Sequence, residues 1–265
     1  MKLMYAIVLL GMVSCNSADK KDEPLSMPGA YNMLSQSAND GTKDTSFAGA
    51  QQLKIYTDDY MMYANINPPD SVSGFGIGAY TADSGKVVEH VIDVAADTAG
   101  TAATTGTNNF TLMIEKTPKG YKQVIPEMEA WGKKWTLTEE YESVGTAVKA
   151  PLDGAWKQTR AYYIKGSDTA TYTPMQYKTY YAGHFIWGHL YKDSTNKLLT
   201  GIGYGTFTMD AANKVKETLT ASTYYQVRGK TIDINIEMNG TDEFKQTITE
   251  ANGDKNVEVY QRLKK

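Results

Sequence analysis

The sequence predicts an all-β protein of two tandem, antiparallel up-and-down β-barrels, each of about eight strands. Three observations predict it. Nearly every segment alternates apolar and polar residues with period two and is bounded by Gly, Asn, Asp or Pro, the pattern of half-buried strands. The 19 tyrosines and 23 glycines suit pleated surfaces and strand bends rather than helices. The chain also repeats itself: Gln52-Leu53-Lys54-Ile55-Tyr56 returns as Gln176-Tyr177-Lys178-Thr179-Tyr180, and the spacing from Lys54 to Tyr63 returns between Lys178 and Trp187.

The remaining elements follow the same duplication in order. Gly29-Ala30-Tyr31 opens the first copy and Gly154-Ala155-Trp156 the second. After the hairpin built on the repeated segment come Gly76-Ile77-Gly78-Ala79-Tyr80 and Gly203-Tyr204-Gly205-Thr206-Phe207. Lys86–Val91 answers Lys214–Leu219, Phe110–Glu115 answers Ile232–Glu237, and Lys122–Ile125 answers Lys245–Ile248. Each copy closes on a Tyr-containing strand, Trp135–Val144 and Asn256–Leu263. The Thr-, Ala- and Gly-rich run Ala95–Asn108 reads as a long loop of the first copy, and Pro126–Trp131 as a single helical turn. The expected organisation is barrel 1 over 28–145, a linker over 146–152 and barrel 2 over 153–265, separable by limited proteolysis.

Residues 1–14 read as a signal peptide, with Lys2 before a short apolar run that is too brief to span a bilayer. Met12-Val13-Ser14-Cys15 resembles a bacterial lipoprotein signal, with Met12 where Leu is usual. That resemblance implies cleavage before Cys15 and lipid on its sulfur. Residues 15–27 then form a polar, flexible tether. The implied location is the cell envelope, anchored through the lipid, on the outer membrane with the barrels facing the periplasm or the surface. Cys15 is the single cysteine, so the mature chain is expected to have no disulfide. A net charge of −3 gives no reason to expect nucleic acid as a partner.

Gly154-Ala155-Trp156, His184-Phe185-Ile186-Trp187, Gly203-x-Gly205-x-Phe207 and Glu217 together resemble the lipocalin-like domains of uncharacterised Bacteroidetes lipoproteins. The first copy departs at Tyr31, Tyr60 and Tyr63, which stand for Trp156, His184 and Trp187. The resemblance covers both copies. It implies eight-stranded calycin barrels with room for an interior ligand, and no known reaction.

Strand parity picks out the residues that would line such an interior. In Lys214–Thr220 the apolar face is Val215 and Leu219, and Glu217 shares it; Glu89 shares the face of Val87 and Val91. Gln246 goes with Phe244 and Ile248, and Gln123 with Tyr121 and Ile125. Each barrel is thus expected to hold an inward carboxylate and an inward amide. A buried carboxylate must be paired, hydrogen-bonded or protonated. Two readings follow: a structural network, or the polar end of a ligand pocket lined also by Trp156, Trp187, Phe207, His184, Tyr60 and Tyr63. His184 is expected to make a hydrogen bond in the core. His90, His184 and His189 do not converge on one face, so no metal site is expected, and no cofactor motif occurs. No Gly-x-Ser-x-Gly or Cys–His pair is present, and a general acid or base needs a partner that the sequence does not identify. The expected function is non-enzymatic binding of a small apolar or amphipathic ligand in a barrel pocket. The alternative is a structural lipoprotein with filled barrels that docks a protein partner; an enzyme is disfavoured.

Overall fold

Period-two segments joined by short turns can satisfy their backbone only by pairing with neighbours, and a sheet of eight such strands can close on itself and lose its edges. Both copies do this. The structure, a computed structural model, describes residues 25–265 except 50, 67–72, 97–103, 131, 148, 173–174 and 193. Residues 1–24, which include the expected signal peptide, Cys15 and most of the expected tether, lie outside the described residues.

In the first copy the strands are β1 (Gly29–Asn39), β2 (Asp44–Ser46), β3 (Gln52–Tyr56), β4 (Tyr60–Asn65), β5 (Ser73–Asp83), β6 (Lys86–Ala96), β7 (Thr104–Lys116), β8 (Gly120–Ala130) and β9 (Lys133–Ser143). In the second they are β10 (Gly154–Lys165), β11 (Asp168–Tyr172), β12 (Met175–Tyr181), β13 (His184–Lys192), β14 (Leu198–Met209), β15 (Lys214–Ser222), β16 (Thr231–Asn239), β17 (Glu243–Thr249) and β18 (Lys255–Arg262). Each barrel closes where its first strand pairs with its last, β1 with β9 and β10 with β18. β2 and β11 are short additions to the far ends of β1 and β10.

Two local expectations are corrected. The expected loop over Ala95–Asn108 is shorter, because β6 runs to Ala96 and β7 starts at Thr104. Thr is at home in a strand, and its cross-strand partners hold it there. Residues 126–130, the described part of the turn expected over Pro126–Trp131, do not make a helical turn. β8 continues through them to Ala130, with a register irregularity between Ile125 and Met128, where Glu127 takes a positive φ of 57°. Met27, read as the end of the tether, is instead 2% exposed and packs into the floor of barrel 1.

Each interior is filled by its own apolar cluster. In barrel 2, Trp156, Tyr180, Phe185, Phe244 and Tyr260 lie within one such group. The segment before each barrel plugs it in the same way: Tyr31 OH donates to the Met27 carbonyl at 3.0 Å, and the Trp156 indole N–H to the Leu152 carbonyl at 2.8 Å. Beyond these lies a third core, which a reading of two separable barrels did not include. Leu53, Ile55, Met62 and Ile77 of one barrel meet Tyr177, Ile186, Ile202 and Tyr204 of the other. Equivalent strands face each other across it, β3 to β5 against β12 to β14. Phe75 lies over Gly188, where a Cβ would come within 2.6 Å of the ring. Strands β3 and β12 are therefore buried on both faces, one towards each barrel's interior and one towards the other barrel.

Candidate functional site

β12 turns Gln176, Lys178 and Tyr180 into barrel 2, because its alternate residues Tyr177 and Thr179 face the other barrel. Lys178 is 2% exposed. Its ammonium lies 2.7 Å from Glu217 Oε1 on β15 and donates to Gln246 Oε1 on β17 at 3.1 Å. Tyr180 OH donates to the same Glu217 oxygen at 2.5 Å. Gln246 Nε2 donates to Glu258 Oε2 on β18 at 2.6 Å, and Tyr260 OH donates to that oxygen at 2.5 Å. Gln176 Nε2 closes the chain by donating to Glu258 Oε2 at 3.3 Å and to Tyr260 OH.

Barrel 1 repeats the core of the network with equivalent residues. Lys54 pairs with Glu89 at 2.7 Å and donates to Gln123 Oε1 at 3.3 Å; Tyr56 OH also donates to Glu89. Gln123 Nε2 and Tyr141 OH donate to Glu139 Oε2 at 2.5 and 2.8 Å, and Gln52 donates to Tyr141. Burial pushes the Tyr56, Tyr141, Tyr180 and Tyr260 hydroxyls far above their ordinary range, and the carboxylates beside them push the same way, so all four remain donors. Burial also raises the Glu258 carboxyl, against the opposing effect of Lys178. Such networks gain from low dielectric only while every member is partnered. Here each amide, ammonium and carboxylate has its partners within the barrel.

The structure divides the residues singled out in the sequence. Glu217, Gln246, Glu89 and Gln123 belong to the two networks. Trp156 and Phe207 are buried in the apolar layer below, Trp156 edge-on to Phe244 at 4.7 Å and Phe207 edge-on to Tyr180 at 4.9 Å. Trp187 and Tyr63 pack inside their barrels over Gly203 and Gly76, whose missing side chains leave room for the rings. His184 and Tyr60 stand apart. They share the outer face with Ile186 and Met62, so His184 is not the interior histidine the sequence suggested. The imidazole that does point inward is His189, stacked on Trp187 at 5.5 Å and 2.8 Å from Tyr224 OH. Among the described residues no group of three or more His, Cys, Asp or Glu could hold a metal ion.

Sequence reasoning missed Lys54 and Lys178, and with them Glu139, Glu258 and their tyrosines. The signal was present. Gln-x-Lys-x-Tyr occurs in both copies at period two, and so does Glu-x-Tyr at Glu139–Tyr141 and Glu258–Tyr260. A repeated lysine at an inward parity needs a repeated carboxylate to face it.

The open space lies elsewhere. A groove of about 700 Å³ runs across the rim of barrel 2, between the β12–β13 turn, the β14–β15 turn and the linker. Ala150, Pro151, Phe207 and Met209 give it an apolar floor, and His184 and Asp210 are at its edge. Ala182 and Gly183 both adopt positive φ, 51° and 78°, and so form the tight reversal that lets Phe207 N–H reach the Gly183 carbonyl at 2.9 Å. Burial lowers the His184 pKa. Its Nδ1 is 3.2 Å from the Ala182 carbonyl, which only accepts, so Nδ1 carries the proton and Nε2 keeps a lone pair.

No family model matches the chain, and no curated protein matches it. A solved structure that resembles it is a protein of unknown function from the DUF3598 family of Nostoc punctiforme. It is 10% identical over 89% of this chain and 96% of that one, at a TM-score of 0.26. What stands is the geometry: two closed eight-stranded antiparallel barrels, which fit a calycin-like fold.

Proposed function

We propose that the protein is a lipid-anchored envelope lipoprotein of the binding class, whose filled barrels act as a rigid carrier for an apolar or amphipathic ligand held in the rim groove of barrel 2. The observation that carries this is the contrast between the two spaces. The interiors are packed with apolar side chains around the two lysine–carboxylate networks, whereas the rim groove is roomy and mainly apolar. The barrels fit a binding-protein fold. The envelope location rests on Cys15 and on the resemblance to Bacteroidetes lipoproteins.

Mass spectrometry of small molecules retained by the natively purified protein tests the groove. Thr206 lines it and is exposed on the outer face, so Thr206→Trp fills the space without disturbing a core. Retained ligand should fall at least about tenfold in the variant, a loss of roughly 1.4 kcal/mol in binding. Unchanged retention would place the ligand elsewhere. The anchor has its own test: Cys15→Ser should leave the membrane fraction, and a processed variant that stays there would remove the lipoprotein reading.

A further inference from the structure

The two barrels carry equivalent rims, and the chain itself occupies one of them. After β18 the tail crosses to barrel 1. Tyr60 OH donates to the Lys264 carbonyl at 2.8 Å, and Lys265 Nζ donates to the Tyr80 carbonyl at 2.6 Å while lying 5.8 Å from the centre of the Tyr80 ring. After β9 the chain makes the same crossing to barrel 2. The start is matched: Val144 N–H bonds to the Ala30 carbonyl at 2.9 Å, and Leu263 N–H to the Ala155 carbonyl at 2.8 Å. Two residues further on, the place of Lys265 is taken by Thr146. Its short side chain stops at the Ala182 carbonyl, 3.2 Å away.

The receiving positions are equivalent too. Tyr80 N–H donates to Asp59 O and Phe207 N–H to Gly183 O, so both residues turn their carbonyls towards the turn at the rim. Tyr60 pairs with Ala79 on one barrel, and His184 with Thr206 on the other. Asp83 and Asp210 stand at the ends of the two matching strands. On barrel 1 the carbonyl and ring hold an ammonium on an alkyl stem. On barrel 2 the equivalent residue, Phe207, lines the open groove together with His184, whose Nε2 keeps a lone pair, and Asp210, whose Oδ1 accepts the Ala212 and Lys214 N–H groups and whose Oδ2 remains an acceptor. All of these accept, and an aromatic face attracts a cation. Among the described lining residues Lys149 is the cation. It sits on the exposed linker and also borders the small pocket at Asp58, Asp59 and Asp153.

We infer that the rim groove of barrel 2 takes a primary alkylammonium group, and that Lys265 on barrel 1 shows how it is held. The inference rests on the reading of the groove as the ligand site and specifies its chemistry. An ammonium would donate to the Phe207 carbonyl and His184 Nε2, with its stem along Phe207, Met209 and Pro151. The occupant is a free alkylamine or the side chain of a lysine in a peptide; the chemistry is shared.

The test is calorimetric titration of the full chain with n-hexylammonium, n-hexanol and n-hexanoate. One hexylammonium should bind per chain, at least about tenfold more tightly than the alcohol or the carboxylate. Asp210→Asn should weaken it several-fold, and Thr206→Trp should abolish it. Lys265→Ala, a change in an exposed tail residue, should vacate the rim of barrel 1 and raise the stoichiometry from one to two. Competition by an N-acetyl-lysine amide would identify a peptide lysine as the occupant; its failure to compete would identify a free amine. If hexanol or hexanoate binds as tightly as hexylammonium, the ammonium assignment is wrong and the groove survives as an apolar site. If no probe binds and Thr206→Trp changes nothing, the groove reading fails with it. An unchanged stoichiometry in Lys265→Ala would overturn the equivalence of the two rims and the inference built on it.

Discussion

Lys178→Met is expected to destabilise the protein by about 3–5 kcal/mol, the loss that follows when one partner of a buried ion pair is removed. The lysine stem is replaced by one of similar volume, so the cost is electrostatic rather than a cavity. Glu217 is left with the Tyr180 hydroxyl alone, in a site where both charged side chains are about 2–3% exposed. Gln246 loses the donor to its oxygen, and the disturbance passes to Glu258 through the 2.6 Å bond. Adding Glu217→Gln removes the stranded charge and keeps a hydrogen-bonding group, so the double variant should recover a large part of the loss. Urea unfolding of the two single variants and the double variant measures this as a coupling energy. Lys54→Met with Glu89→Gln should behave alike in barrel 1. A loss below about 1 kcal/mol would mean that water already reaches the network, and would return the barrel interior to consideration as a ligand pocket.

The second large effect depends on pH. Burial lowers the His189 pKa to about 4. Its ring is stacked on Trp187, edge-on to Tyr191 at 5.5 Å, and accepts from or donates to Tyr224 OH at 2.8 Å. A lowered folded-state pKa means that the unfolded chain takes up the proton first. The contribution of a neutral, buried imidazole is therefore intact above the unfolded value near 6.5 and is lost as pH falls from there towards 4. Over that window the loss approaches about 3 kcal/mol. Glu258 acts in the opposite sense. Burial raises its folded-state pKa, so the folded barrel holds that proton more tightly, and its contribution grows as pH falls through that raised value. Comparing the wild type with His189→Gln separates the two. Chemical unfolding at pH 7 and pH 4.5 should show a steeper acid loss in the wild type than in the variant. Parallel slopes would mean that His189 is protonated within the fold.

The architecture was legible because it is written in residues that obey one period. Turn residues, the Gly-x-Trp and Gly-x-Tyr openings and the duplicated hairpins fixed strand number, and parity put Glu217, Gln246, Glu89 and Gln123 inside. Parity was less useful on β12 and β13, whose two faces are both buried. On β13, Phe185 and Trp187 face the interior while Ile186 faces the other barrel, so apolar residues mark no unique side. That is why His184 was placed inward. Lysine was overlooked for a related reason. A lysine between apolar neighbours reads as the solvent side of a strand, and at Lys54 and Lys178 there is no solvent side. The rim groove had no sequence signal, because its walls come from the linker and two turns that meet only after both barrels have closed.

The face between the barrels has a further consequence. Equivalent strands meet there, as in an interface between identical subunits related by a two-fold axis. Joined in one chain, they meet at an effective concentration on the order of millimolar, so dilution no longer parts them. A pair of identical subunits would also be bound to carry identical rims. The tandem chain is free of that constraint: it closes one rim with its own Lys265 and leaves the other open, so its rims differ while its body stays nearly symmetric.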